Sequence, residues 1–270
     1  MDRKRIALLD TDFISKTHIS QSTTDHLIDK VLMLPGYDFY CHRQIVTELG
    51  KHTPDALQWL QSKIQNQDIH CFTDEMILDE LGKIYGASCC NWYAQFLKEA
   101  CDAFGADHFA NYYSSLQGLD YSSISKAEFL AELATADNNV GRQNSLGEIK
   151  TYVLLQTLDL LYGEHIYMFC SDDQKARIGI TQFDNVYCIS VLSAFLKLKN
   201  EIGLTRDRAE PYLNSWLNYC TEHDQVTFRV LDAAATRRFC RVSCTQVFAD
   251  IYDDKFLLLG DGNLKYKPPA

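Results

Sequence analysis

A chain of 270 residues with 46% hydrophobic content carries enough apolar material for a sizeable buried core, in one large domain or one domain with an appendage. Its formal net charge of −10 and pI near 5.2 exclude a general polyanion-binding surface, so any nucleic-acid contact has to be local or metal-assisted. No apolar run approaches the roughly 18 residues of a membrane span. The opening M-D-R-K-R-I-A-L-L-D passes from basic residues through four apolar ones to an acid, which fits no signal peptide; a cytoplasmic protein without membrane contact is expected. The ten cysteines include no CxxC pair. Cys89 and Cys90 are adjacent, Cys240 and Cys244 lie four apart, and all read as reduced thiols filling the core rather than a zinc site.

Ile6 to Ile14, I-A-L-L-D-T-D-F-I, begins as a short strand with four consecutive apolar residues, as expected for the centre of a parallel sheet buried on both faces. It stops on Asp10 and Asp12. In open α/β sheets the ligand crevice lies off the carboxyl ends of the strands, so acids there point into it, unless they only open a turn and cap the next helix. Thr17 to Leu34 follows with helical spacing at Leu27, Ile28, Val31 and Leu32 and a stop at Pro35-Gly36, then a short strand at Tyr37–Tyr40. In H-R-Q-I-V-T-E-L-G-K, Ile45, Val46 and Leu49 form a helical stripe with Gly50 as the expected stop. Glu48 lies beside the stripe, either as a partner for the first acids or as an ordinary solvated glutamate.

From Asp55 to about Asn144 the chain reads as mostly helical, with the aromatic spacing of Trp92, Phe96, Ala100 and Phe104 indicating core packing. Gln117–Ser125 is turn-rich, and Thr135–Ser145 reads as a loop on the crevice side. Asn144 to Tyr162 is then a long amphipathic helix whose Ser145 and Glu148 have the spacing of a capping box. A capping Glu148 would face Ser145, a catalytic one the strand ends, and the spacing alone leaves both open. A second apolar run, Ile166–Cys170, ends on Ser171-Asp172-Asp173 before a helix bearing Lys175 and Arg177. Two strands ending in acids, with Glu48 and Glu148 on the helices between, bring four carboxylates toward one crevice. Their mutual repulsion calls for a hard divalent cation, Mg²⁺ or Mn²⁺.

Past Leu204 a short helix with Tyr212, Leu213, Trp216 and Leu217 is expected, then a strand over Gln225–Leu231 and a helix over Asp232–Tyr252. That helix would carry Arg237, Arg238 and Arg241, the densest basic patch, which is either an RNA-backbone contact or an exposed face paired with acids. The close, K-F-L-L-L-G-D-G-N-L-K-Y, reads as a hairpin, an edge for a partner to cover.

L-L-D-T-D-F-I, I-V-T-E-L, L-G-E-I-K, and C-S-D-D-Q-K-A-R followed by V-Y-C-I-S-V-L-S-A-F-L resemble, in order and context, the motif set of PIN-domain nucleases over roughly residues 1–204. The resemblance implies an α/β fold: a PIN-like parallel sheet flanked by helices, here with a helical insertion at about 70–140 and a small C-terminal α+β extension over 205–270. It also implies a divalent-metal-dependent endoribonuclease, a toxin or defence effector, with Asp10, Glu48, Glu148 and Asp172 as ligands and Asp12 and Asp173 as auxiliary acids. RNA as substrate, a protein inhibitor or antitoxin, and a homodimer come with the same resemblance. The family frequently has aspartate where Glu148 stands. In the implied hydrolysis Ser171 positions water or phosphate, and Lys175 or Arg177 neutralises a neighbouring phosphate, unless the two belong to a solvated basic helix face.

A phosphatase of the haloacid-dehalogenase type is the second reading, since its first motif is also a strand ending in D-x-D, with Asp10 as nucleophile and Asp12 as general acid. Ile14 stands where that family has Thr or Val, and no lysine is clearly placed for its chemistry. The third reading is a PIN-like binding or assembly protein that keeps the fold without the metal.

Overall fold

The computed structural model describes residues 5–105, 107–140, 145–163, 167–180, 186–219, 225–231 and 237–267. β1 (Arg5–Leu9) leads through Asp10 into α1 (Thr11–Ile19), α2 (Leu27–Leu32), β2 (Tyr37–His42), α3 (Arg43–His52), α4 (Pro54–Gln65) and β3 (Ile69–Phe72). A run of helices follows: α5 (Asp74–Tyr85), α6 (Cys89–Phe104), α7 (His108–Tyr112), α8 (Ser114–Gln117), α9 (Lys126–Asn139) and α10 (Leu146–Tyr162). The chain then returns to the sheet with β4 (Tyr167–Cys170), α11 (Gln174–Ile180), β5 (Val186–Ile189) and α12 (Val191–Ile202). It closes with α13 (Arg206–Tyr219), β6 (Gln225–Leu231), β7 (Arg237–Ser243), α14 (Cys244–Tyr252), β8 (Phe256–Leu258) and β9 (Leu264–Tyr266).

The five-stranded sheet is wholly parallel in the order β3-β2-β1-β4-β5, with β1 at its centre. The alternation of β1 divides the core. Ala7 and Leu9 face a layer that includes α1, α2, α12, α13 and α14, while Ile6 and Leu8 face α5, α6, α9 and α10. The helical insertion is therefore one of the two layers that bury the sheet, with α6 packed along α10. The C-terminal segment joins the opposite layer through Trp216, Phe228, Val247 and Phe248. No helix among the described residues is long and apolar enough to cross a membrane.

Several expected elements differ. The single helix over Thr17–Leu34 is two, because Asp10 starts α1 at once and the polar run Ser20–His26 interrupts it, with Ser22 and Asp25 bonded to each other and a bridge from Gln21 to His26. Gly50 does not stop α3, which continues to His52 and ends where Thr53 precedes Pro54. Inside the stretch read as helical, Ile69–Phe72 forms β3. Its β-branched, aromatic and thiol side chains are bounded by Gln67 in the left-handed region and by Thr73, which caps α5. Thr135–Asn139 is the end of α9 rather than loop, residues 141–144 lie outside the described ones, and the stretch expected to be turn-rich is so from Gly118 to Ser125, Gln117 ending α8.

Of the helix expected over Asp232–Tyr252, residues 232–236 lie outside the described ones, and the rest is a strand followed by a helix. R-R-F-C-R-V-S pairs antiparallel with β6, and the Ser243 hydroxyl accepts the Gln246 N–H at 3.1 Å to start α14. Arg237, Arg238 and Arg241 thus lie on a strand, where alternation replaces a helical face; Arg241 is exposed, and the side chains of Arg237 and Arg238 are outside the described residues. Cys240 and Cys244 share no helical face for the same reason. The final hairpin is present, and its turn lies on the sheet. Cys188 N–H on edge strand β5 donates to Asp261 C=O at 2.9 Å, and Gly262, at φ +84°, passes so close that a Cβ would stand 2.0 Å from Cys188 O. That edge is covered by the chain itself.

Candidate active site

The order of the sheet reverses at β1, between β2 on one side and β4 on the other, and the loops leaving β1 and β4 bound the crevice expected at such a point. Asp10 follows β1 directly and caps α1. Its Oδ1 accepts the Thr11 N–H at 2.8 Å and its Oδ2 the Ser171 hydroxyl at 2.7 Å. It is 3% exposed. Burial pushes its carboxyl well above the usual range, Glu148, Asp12 and Glu48 push it further, and the Ser171 bond opposes them.

Glu48 comes from α3. Its Oε2 accepts the Thr11 hydroxyl at 2.6 Å and its Oε1 the Gln44 side-chain amide at 3.1 Å, so two neutral donors turn it toward α1. The carboxylate also lies against the first turn of α10, where a Cβ on Gly147 would meet Oε2 at 2.5 Å. Gly147→Ala is therefore expected to displace Glu48 from Thr11. The displaced atoms end a flexible side chain, so the fold survives, with stability changed by less than about 1 kcal/mol while divalent-ion affinity falls at least about tenfold. Thermal unfolding and calorimetric titration with Mn²⁺ on the same preparation check both parts.

Glu148 does not form the capping box. Ser145 adopts a left-handed conformation, φ +48°, and makes no side-chain cap to α10, so Glu148 is free of that role. Burial raises its carboxyl to about 7, opposed by its own backbone N–H and reinforced by Glu48, Asp173 and Asp12. These causes place Glu148 in the same carboxylate field as Asp10, off the strand ends.

The third group lies on the α1 and β4 side. Lys16 Nζ donates to Asp12 Oδ2 at 2.9 Å and to Asp172 Oδ2 at 2.8 Å, bridging the two acids. Burial also raises Asp12, against the pull of Lys16, with Asp172 and Asp173 adding to the rise. Asp172 Oδ1 accepts the Val191 N–H at 3.1 Å. Asp173 accepts the N–H groups of Lys175 and Ala176 at 2.6 and 3.1 Å and so starts α11, a role its sequence position did not announce.

All six acids named from the sequence thus enter one electrostatic cluster, with Ser171 fully buried among them. Lys175 is exposed, and Arg177 lies where its charge acts on Cys188. Thr11, Lys16 and Gly147 escaped the sequence reading. Lys16 alone left a signal, the i,i+4 spacing to Asp12. Among the described residues no three Asp, Glu, His or Cys side chains already surround one point as metal ligands. The donor set nevertheless suits a hard divalent cation: it offers carboxylate oxygens, and Asp10, Asp12 and Glu148, each raised first by burial, are raised further by the neighbouring acids. Comparison of the chain with family models, curated proteins and solved structures gave no match.

Proposed function

We propose that this chain is a divalent-metal-dependent endoribonuclease of PIN-like architecture. The observation that carries the reading is the like-charged carboxylate cluster around buried Asp10, at the point where the parallel sheet reverses its order. Asp10, Glu48, Glu148 and Asp172 are the residues to hold Mg²⁺ or Mn²⁺, with Asp12 and Asp173 beside them. A bound ion would polarise a phosphoryl oxygen and lower the pKa of attacking water.

The chain's own groups supply orientation and proton handling. Ser171 and the Thr11 N–H fix both oxygens of Asp10, and the Thr11 hydroxyl fixes Glu48, so neither carboxylate has to reorganise when substrate arrives. Glu148, with its carboxyl raised to about 7 when no ion is bound, holds a proton near neutral pH that it would give up on taking an ion. RNA is the substrate the resemblance implies, and a toxin or defence role goes with it. The phosphatase reading is weaker. A lysine does reach the cluster, but Lys16 pairs Asp12 with Asp172, whereas the nucleophile of that reading is Asp10.

The test is cleavage of a pool of labelled RNA, DNA and small phosphate esters with Mn²⁺, Mg²⁺ or EDTA, by wild type and Asp10→Asn. RNA cutting that requires metal and falls at least about 10²-fold in Asp10→Asn is expected. Hydrolysis of phosphate esters alone would transfer the assignment to the phosphatase, and inactivity of the wild type on all substrates would favour a binding role.

A further inference from the structure

Cys41 on β2 and Cys71 on β3 are direct partners in the parallel ladder. Adjacent strands stand about 4.8 Å apart, within the Cα separation of about 4.4–6.8 Å that a disulfide spans. The two thiols project to the same face of the sheet, where Cys71 packs against the core cluster that contains Cys41. Their surroundings differ in the way an attacking and a resolving thiol differ. Cys71 lies on the edge strand of the sheet and is partly exposed, with the Arg43 guanidinium beside it, whereas Cys41 is fully buried one strand further in. The neighbouring Cys41 and Arg43 hold the Cys71 thiol below its ordinary range against the effect of burial, whereas Cys71 and burial push Cys41 up. Cys89 and Cys90, adjacent in the chain, are both buried on α6, where burial pushes Cys90 up to about 11.

We infer that Cys41 and Cys71 form an oxidisable dithiol, a modification site at which a low-molecular-weight disulfide converts the pair to a cross-strand disulfide. The Cys71 thiolate attacks one sulfur of the oxidant, whose S–S bond breaks to release one thiolate and leave a mixed disulfide on Cys71. Cys41 then attacks the Cys71 sulfur, its proton passing to the second departing thiolate. The protein loses two hydrogens and the oxidant becomes two thiols. The new bond joins β2 to β3 one residue before His42 and three before Asp74, whose side chains meet at 3.3 Å. The inference is independent of the nuclease reading.

Native protein is incubated with oxidised glutathione, then unfolded in guanidinium containing N-ethylmaleimide so that every remaining thiol is capped, and mapped by mass spectrometry without reduction. The expected product is a linked peptide pair containing Cys41 and Cys71, lighter by two hydrogens and reversed by dithiothreitol. In Cys41→Ala a glutathione adduct accumulates on Cys71 instead, because the resolving thiol is gone. Maleimide on both Cys41 and Cys71 of the wild type, at a time when exposed Cys240 already carries glutathione, would overturn the inference. So would a disulfide from Cys71 to any other cysteine.

Discussion

Glu148→Gln is expected to make the metal-free protein more stable at pH 8, by roughly 3 kcal/mol, while removing its divalent-ion response. The ordinary glutamate value is 4.5 and the folded protein raises it to about 7. At about 1.4 kcal/mol per unit, that gap sets the size of the effect. Its sign follows from the protons bound. Between about 4.5 and about 7 the folded state holds a proton that the unfolded state has released, so this contribution is fully present below 4.5 and lost as pH rises through about 7. Urea unfolding in EDTA should therefore show wild type weakening from pH 5 to pH 8 and Glu148→Gln weakening less. Millimolar Mn²⁺ should stabilise wild type more at pH 8 than at pH 5.5, since ion binding competes with the same proton. A variant less stable than wild type at pH 8 in EDTA would contradict the electrostatic reading of the cluster.

The parts of this site that were legible in the sequence are those written locally. A short apolar run that ends on an acid occurs twice, and both runs became central parallel strands with their acids at the crevice. Glu48 was legible only as a glutamate beside a stripe, because what orients it comes from elsewhere: the Thr11 hydroxyl on α1 and the space above Gly147 on α10. Glu148 was ambiguous because S-x-x-E describes a capping box and a catalytic acid equally well, and the left-handed backbone of Ser145 that decides between them has no local signature. β3 escaped because four residues between two helices are too few to show a period of two. β7 was read as part of a helix over Asp232–Tyr252, whereas antiparallel pairing with β6 determines its conformation.

Lys150→Met is expected to destabilise the protein by about 3–5 kcal/mol, far more than the loss of one surface ion pair. Lys150 is 1% exposed, and its Nζ reaches Asp74 Oδ1 at 3.0 Å, Asp137 Oδ2 at 2.8 Å and the Tyr93 hydroxyl at 3.3 Å. Tyr93 also donates to Asp74, and Tyr113 to Asp137 at 2.8 Å. Removing the cation leaves two partly buried carboxylates without the charge that lies between them, so much of the loss should return in Lys150→Met combined with Asp74→Asn and Asp137→Asn. Burial alone would raise Asp74, but Lys150 and His42 overcome it and hold the carboxyl well below its ordinary range. Its contribution is thus present above the unfolded value near 4 and lost as pH falls through the folded one, opposite in sign to that of Glu148. The deficit of Lys150→Met, measured by urea unfolding, should accordingly be large at pH 7 and smaller at pH 4, where Asp74 can accept a proton. Glu148 and Lys150 are two residues apart, about 200° around α10, so one meets the acidic crevice and the other the helical layer formed by α5, α6 and α9. The uncompensated anions on one face of α10 are held in place by compensated ones on the other. Lys150→Met should therefore weaken Mn²⁺ binding together with the fold, whereas Asp10→Asn should weaken it with the fold intact.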